Sequence, residues 1–153
     1  MSALTEPELV LHAVAHGVTG DRDTGLEMLQ PLVDAGPTST YALACQLAET
    51  VAIKTRRYPE GTGWAFQIVG PDGVQPVEEA AAPMRFAARF IAARASRDDD
   101  NARALFLAVA QHAQTHGTTD LAEAVVMLYD LAVNACAKIV EERRRLREQG
   151  SAR

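Results

Sequence analysis

Thr118-Thr119-Asp120-Leu121-Ala122-Glu123-Ala124-Val125-Val126-Met127-Leu128-Tyr129-Asp130-Leu131-Ala132 runs on through Cys136, Ile139 and Val140 to Glu148 without a Gly or Pro. It opens on helix-capping residue types, and Glu123 follows Asp120 by three positions, the spacing of a capping box. Apolar residues then recur at Val125, Leu128, Tyr129, Ala132, Cys136, Ile139 and Val140. Steps of three and four place them on one helical face. A helix of roughly 30 residues is about 45 Å long, whereas a compact chain of this size is about 40 Å across. The helix therefore spans the molecule. Its end, Glu141-Glu142-Arg143-Arg144-Arg145-Leu146-Arg147-Glu148, is expected to overhang into solvent. The stretch sets the fold class: an all-α bundle built around one long C-terminal helix.

Composition agrees. The 153 residues suit a single helical domain, 1–153, with a core that needs no staple. Hydrophobic residues make up 48% of the chain but aromatics only 5%, a balance that favours close-packed helices over a sheet. The net charge of -5 argues against a general nucleic-acid binder, because that affinity grows with the phosphates neutralised. Cys45 and Cys136 lie far apart in apolar helical stretches and read as free, buried thiols. The N-terminus lacks the basic start and apolar run of a signal peptide. No window approaches about 18 consecutive apolar residues. The expectation is a soluble, cytoplasmic protein with no membrane partner.

The rest of the chain divides into a first helical half (5–53), a hairpin linker (54–80) and a second helical half (83–149). Thr5-Glu6-Pro7-Glu8 starts the first helix, whose inward face is read as Leu9, Ala13, Val14 and Leu11 before Gly17. Thr24 with Glu27 forms a second capping box, and Pro31 kinks this helix or delays its start. Thr38-Ser39-Thr40 launches a third helix through Leu43, Leu47, Val51 and Ile53. Breakers then crowd between Lys54 and Glu79, where Trp64, Phe66 and Ile68 alternate with Ala65, Gln67 and Val69 in the period of a half-buried strand. Gly70-Pro71-Asp72-Gly73 supplies a turn and Val74-Gln75-Pro76-Val77 a short edge strand. Helices resume at Pro83, marked by Phe86, Phe90 and Ile91, then by Leu105, Phe106 and Val109. The two halves resemble one another at a period of about 80 residues, with Leu9, Ala13 and Val14 matching Phe86, Phe90 and Ile91.

Three constellations carry possible chemistry. His12 with His16 and His112 with His116 are i, i+4 pairs, a spacing that can chelate a metal, with Glu8 as a third donor. The same histidines also suit helix ends, since His16 and His116 each precede a Gly. Neither pair has the central Glu of the His-Glu-x-x-His zinc motif. Second, Arg56 and Arg57 with Arg85, Arg89 and Arg94 could form a phosphate-binding surface. Third, Trp64, Phe66, Cys136, Ile139 and Val140 are apolar residues whose cover within the chain is in question, the material of a protein interface. The acidic links at Asp21 and Asp98 lack the Gly and Glu of a calcium loop and read as helix caps. No nucleophile elbow, phosphate loop or dinucleotide fingerprint is present.

The leading expectation is a non-enzymatic interaction or regulatory adaptor protein that needs no cofactor and forms a homodimer. The alternative is a metal- or small-ligand-binding bundle using the two histidine pairs. A nucleic-acid-binding regulator using Arg56, Arg57, Arg85 and Arg89 stands third. One expectation concerns the lone indole: its alternating neighbours predict that Trp64 packs against helices. Its fluorescence should then peak well to the blue of hydrated indole and resist iodide. Emission at the hydrated position with ready quenching would refute the packing.

Overall fold

Capping chemistry decides where the first helix begins. The Thr5 hydroxyl accepts from the Glu8 amide at 3.4 Å, and a Glu8 carboxylate oxygen accepts from the Thr5 amide at 2.8 Å. This reciprocal box opens α1 (Glu6–Val18), with Pro7 in the first turn, where its missing N–H costs nothing. The computed structural model describes residues 3–53 and 68–152. Over these residues the fold is all-α: α2 spans Arg22–Asp34, α3 Pro37–Ala52, α4 Ala82–Ala95, α5 Asp99–His116 and α6 Asp120–Ser151. A two-stranded hairpin, β1 (Ile68–Gly70) and β2 (Gly73–Gln75), lies between α3 and α4.

The helices pack as two antiparallel hairpins, α1 on α2 and α4 on α5, with α3 and α6 lying across both. One core draws on all six, and its largest fully buried side chains include Tyr129, Phe90, Phe106, Leu29, Leu43 and Leu47. Tyr41 of α3 meets Phe106 edge-on at 5.1 Å and Phe90 at 6.2 Å, which joins α3 to the second hairpin.

The two helix hairpins share one turn. In the first, the Asp21 amide bonds the His16 carbonyl at 2.9 Å and the Asp21 carboxylate accepts from the Thr24 amide. In the second, the Asp98 amide bonds the Ala93 carbonyl at 2.8 Å and the Asp98 carboxylate accepts from Asn101. Gly20 and Arg97, one position earlier in each, have φ of +92° and +58°. Gly takes that conformation freely, whereas Arg97 is a non-glycine residue in left-handed space. The acidic links are caps.

Several expected details come out differently. The inward face of α1 is Val10, Ala13 and Val14, while Leu11 is 65% exposed. Val10, three before Ala13, completes that stripe, and Leu11 falls outside it. Ile53, at the end of α3, is exposed because the helix stops there. Asp21 caps α2 in place of Thr24, so the helix starts at Arg22 and runs through Pro31 to Asp34. Gly36, not Thr38, precedes α3, and Pro37 takes its first turn. The expected hairpin is present with register Ile68↔Gln75 and Gly70↔Gly73, and Gly73 has φ +106°. Pro76 ends β2 and leads into a single 3₁₀ turn. Ile68 anchors the hairpin against Ala88 of α4 and Ala80.

The most demanding contact lies where α6 crosses the first hairpin. The Tyr129 ring is fully buried, and its hydroxyl donates to the Ala13 carbonyl at 2.8 Å. Gly17 and Gly25 make room for it. A Cβ on Gly25 would overlap the Tyr129 hydroxyl and crowd the Ala13 carbonyl, and one on Gly17 would overlap Val133. Beside this notch Arg22 forks onto Asp130 at 2.8 and 3.0 Å, tying α2 to α6 a second time.

Gly25→Ala is therefore expected to cost about 1–3 kcal/mol through overpacking, although Ala is the better helix former by about 1 kcal/mol. Tyr129→Phe should cost about 1 kcal/mol through the lost hydrogen bond. In the double variant the two losses should sum to less than additive, because Phe removes the group that Gly25→Ala strikes. Urea unfolding of the four proteins checks this, and simple additivity would refute it. Burial also holds the Tyr129 phenol above its ordinary range. Its contribution is complete below the unfolded tyrosine value near about 10 and declines as pH rises past it. Tyr129→Phe should flatten that alkaline loss.

Candidate functional site

The sequence candidates separate in space. His12 is exposed on α1, while His16 lies in the last turn with Nδ1 3.4 Å from Asp21. Glu8 is committed elsewhere: its hydrogen bonds with Thr5 hold the carboxyl below its usual range. In the second pair, His112 Nδ1 lies 3.0 Å from Asp120, and His116 Nδ1 lies 3.0 Å from the His112 carbonyl. The two rings stack at 4.3 Å with planes 28° apart. Both Nδ1 atoms are thus engaged, one by a carboxylate of α6 and the other by a backbone carbonyl of α5. Among the described residues no three of His, Cys, Asp and Glu gather as a metal centre needs.

Asp120 is a correction of function within its own helix. Its spacing to Glu123 suggested a cap, but Thr119 is the residue before the first turn, and its hydroxyl donates to the Glu123 carboxylate at 3.2 Å. Freed from capping, Asp120 reaches across to α5 and meets His112. No local pattern signals this link, because it joins two helices through a tight connection at Gly117, whose φ is +61°.

The arginines also divide. Arg94 is largely buried and bonds Glu49 of α3 at 3.2 Å and Asp99 of α5 at 2.5 Å. It is an internal tie between helices rather than part of a surface. Arg85 and Arg89 face a different direction, one turn apart, where α4 meets the hairpin's 3₁₀ exit. Arg85 donates to the Glu78 carbonyl at 3.4 Å, and Arg89 lies 4.0 Å from the Glu78 carboxylate. Arg56 and Arg57 lie outside the described residues, as do Trp64 and Phe66 of the expected interface.

Arg85, Arg89, His112 and Asp120 share one cleft of about 350 Å³ between α4, α5 and the start of α6. Phe86, Leu105, Val109 and Ala124 supply apolar walls, and Ala82 and Pro83 border it. The cleft unites a residue from the histidine set with two from the arginine set, which sequence separation had kept apart. A second cleft of about 340 Å³ lies between α1 and α3, with Cys45, Gln46 and Arg94 among its walls. Both cysteines are free, and burial pushes both thiols up. That opposes nucleophile chemistry, which requires the thiolate.

The remaining interface residues lie on α6. Cys136 and Ile139 are half-buried, and Val140 is 56% exposed. Among the described residues no helix is long and apolar enough to cross a membrane. Compared with family models, with curated proteins and with solved structures, the chain matches none.

The double variant His12→Gln/His112→Gln should leave metal content unchanged. Exposed histidine–carboxylate pairs contribute little, so its melting midpoint should move by less than about 4 °C. Elemental analysis with a thermal scan checks both. Stoichiometric zinc or iron in the parent protein that disappears in the variant would make these histidines ligands.

Proposed function

We propose that the chain is a non-enzymatic interaction protein, a small regulatory or adaptor subunit that forms a homodimer through the distal half of α6. The observation that carries this reading is a core-facing stripe that outlasts its core. Residues Ala124, Val125, Leu128, Tyr129 and Ala132 of α6 are buried, and none beyond Ala132 is. At about 100° per residue the same stripe continues through Cys136, Ile139 and Leu146. Val140 flanks it, and Leu146 is 67% exposed. Apolar residues in register with a helix's buried face, yet half-buried or exposed, suit contact with a partner.

The surroundings support a polar rim. Glu141 bonds Arg144 and Arg145 along the helix, and Arg144 also lies near Glu148. Two copies packed antiparallel about a two-fold axis would bury Ile139, Val140 and Leu146 against each other and keep these charges at the edge. Two free thiols suit a reducing compartment, in keeping with a cytoplasmic setting.

Sedimentation velocity at micromolar concentration should therefore find a dimer. Ile139→Asp/Leu146→Asp should yield a folded monomer, because a charge at the centre of an apolar contact is not tolerated there. Circular dichroism verifies the fold of the variant. A parent protein that stays monomeric across that range would refute self-association.

A further inference from the structure

The cleft between α4, α5 and α6 involves the opposite end of α6 from the dimer stripe and stands independently of it. We propose that it binds a small amphipathic anion: a carboxylate or phosphate head held by Arg85 and Arg89, with an apolar body against Phe86, Leu105 and Val109.

Three observations lead there. The first is shape and lining. A cleft of about 350 Å³ falls within the range of small-ligand sites, which are mostly apolar with a few placed polar groups. Its walls are contributed by three helices of the core, so they are formed before any ligand arrives. Phe86 is buried and stacks on Phe90 at 5.3 Å, which fixes its ring.

The second is the state of the two guanidinium groups. Arg94, on the same helix, is paired with two carboxylates through its terminal nitrogens. Arg85 and Arg89 are not held in that way. Among the described residues Arg85 has only the Glu78 backbone carbonyl, and the ion pair of Arg89 with Glu78 is 4.0 Å long, the outer limit of such a contact. Four residues apart on α4, they stand on the same side of the helix. Guanidinium forks match carboxylate and phosphate oxygens, and they gain strength where apolar walls exclude water.

The third concerns the opposing acid. Asp120 lies across the cleft and would repel an anion if it stood bare. Its Oδ2 instead meets His112 Nδ1 at 3.0 Å, so that oxygen is engaged by the imidazole rather than bare toward the cleft. A metal cation is disfavoured by the two arginines. A nucleic-acid strand is disfavoured by their small number, since that binding scales with the phosphates neutralised.

The full chain, uniformly labelled with ¹⁵N, is titrated with octanoate, with phenyl phosphate and with uncharged octanol while amide shifts are followed. One or both anions should move amides of residues 83–89, 105–112 and 120–124 in a saturable way, and the tighter of the two identifies the preferred head group. Octanol should bind at least about tenfold more weakly, the scale of one lost charge-assisted hydrogen bond. Arg85→Met/Arg89→Met should weaken the anions by about tenfold or more. If that protein does not fold, Arg89→Met alone, at a side chain 47% exposed, should show a reduction in the same direction. Absence of saturable shifts with both anions, shifts centred elsewhere, octanol binding as tightly as octanoate, or a folded arginine variant with parental affinity would each overturn the proposal.

Discussion

The Tyr129 hydroxyl on the Ala13 carbonyl is the contact on which the architecture depends. It is a single bond of 2.8 Å, but the space it occupies dictates much around it. For the ring to lie flush between α1 and α2, the position facing it on α2 must have no side chain, and Gly25 supplies that. Gly17 does the same near the end of α1. Glycine inside a helix forfeits roughly 1 kcal/mol against alanine, so two such residues are an expense that only close packing offsets. The buried phenol in turn needs a partner, because an unsatisfied hydroxyl in a core is costly. The Ala13 carbonyl provides it, and the Arg22–Asp130 fork secures the same crossing from outside.

Pinning α6 at that crossing determines what its two ends do. Toward its start it packs on α4 and α5 and closes one side of the cleft with Asp120 and Ala124. Past Ala132 only Val133 and Cys136 still pack, partly buried, against the core, and the helix continues to Ser151 with no residue fully buried. A helix of 32 residues is about 48 Å long, longer than the body that covers it. Its final turns are supported by their own Glu–Arg pairs, each contributing only a few tenths of a kcal/mol. The end of this helix thus persists through local propensity rather than through burial.

Much of this was legible in the amino-acid order. Capping residues, glycine stops and three-and-four apolar steps are local signals, and they located six helices to within a few positions and, within the described residues, the hairpin's turn. The matching Asp21 and Asp98 links were visible as a repeat, and both prove to cap the second helix of a shared turn. What escaped was relational. Gly25 carries no local signal, because its reason lies in Tyr129, more than a hundred positions away. Asp120 looked like half of a capping box, because the competing partner, His112, belongs to another helix. Leu11 looked as apolar as Val10, and only the direction from which α2 and α6 approach decides which of the two is buried.

The arginines of α4 give the sharpest case. Arg85, Arg89 and Arg94 are equally basic and follow one another at near-helical spacing, so sequence treats them as one patch. Position on the helix separates them. Arg94 lies near the C-terminal end, where α3 and α5 converge, and its charge enters a partly dry region in which an unpaired cation would be costly. Glu49 and Asp99 meet it there from two helices, so removing either acid would leave a half-buried guanidinium short of a partner. Arg85 and Arg89 lie in the first half and at the middle of the helix, where among the described residues the carboxylate within ion-pair distance is Glu78, itself exposed and 4.0 Å from Arg89. One rigid helix therefore carries an arginine paired with two carboxylates near its end and two with weaker pairing among the described residues earlier along it. The strength of the first holds the helix in place, and the deficit of counter-charge around the others makes the cleft beside them receptive to an anion.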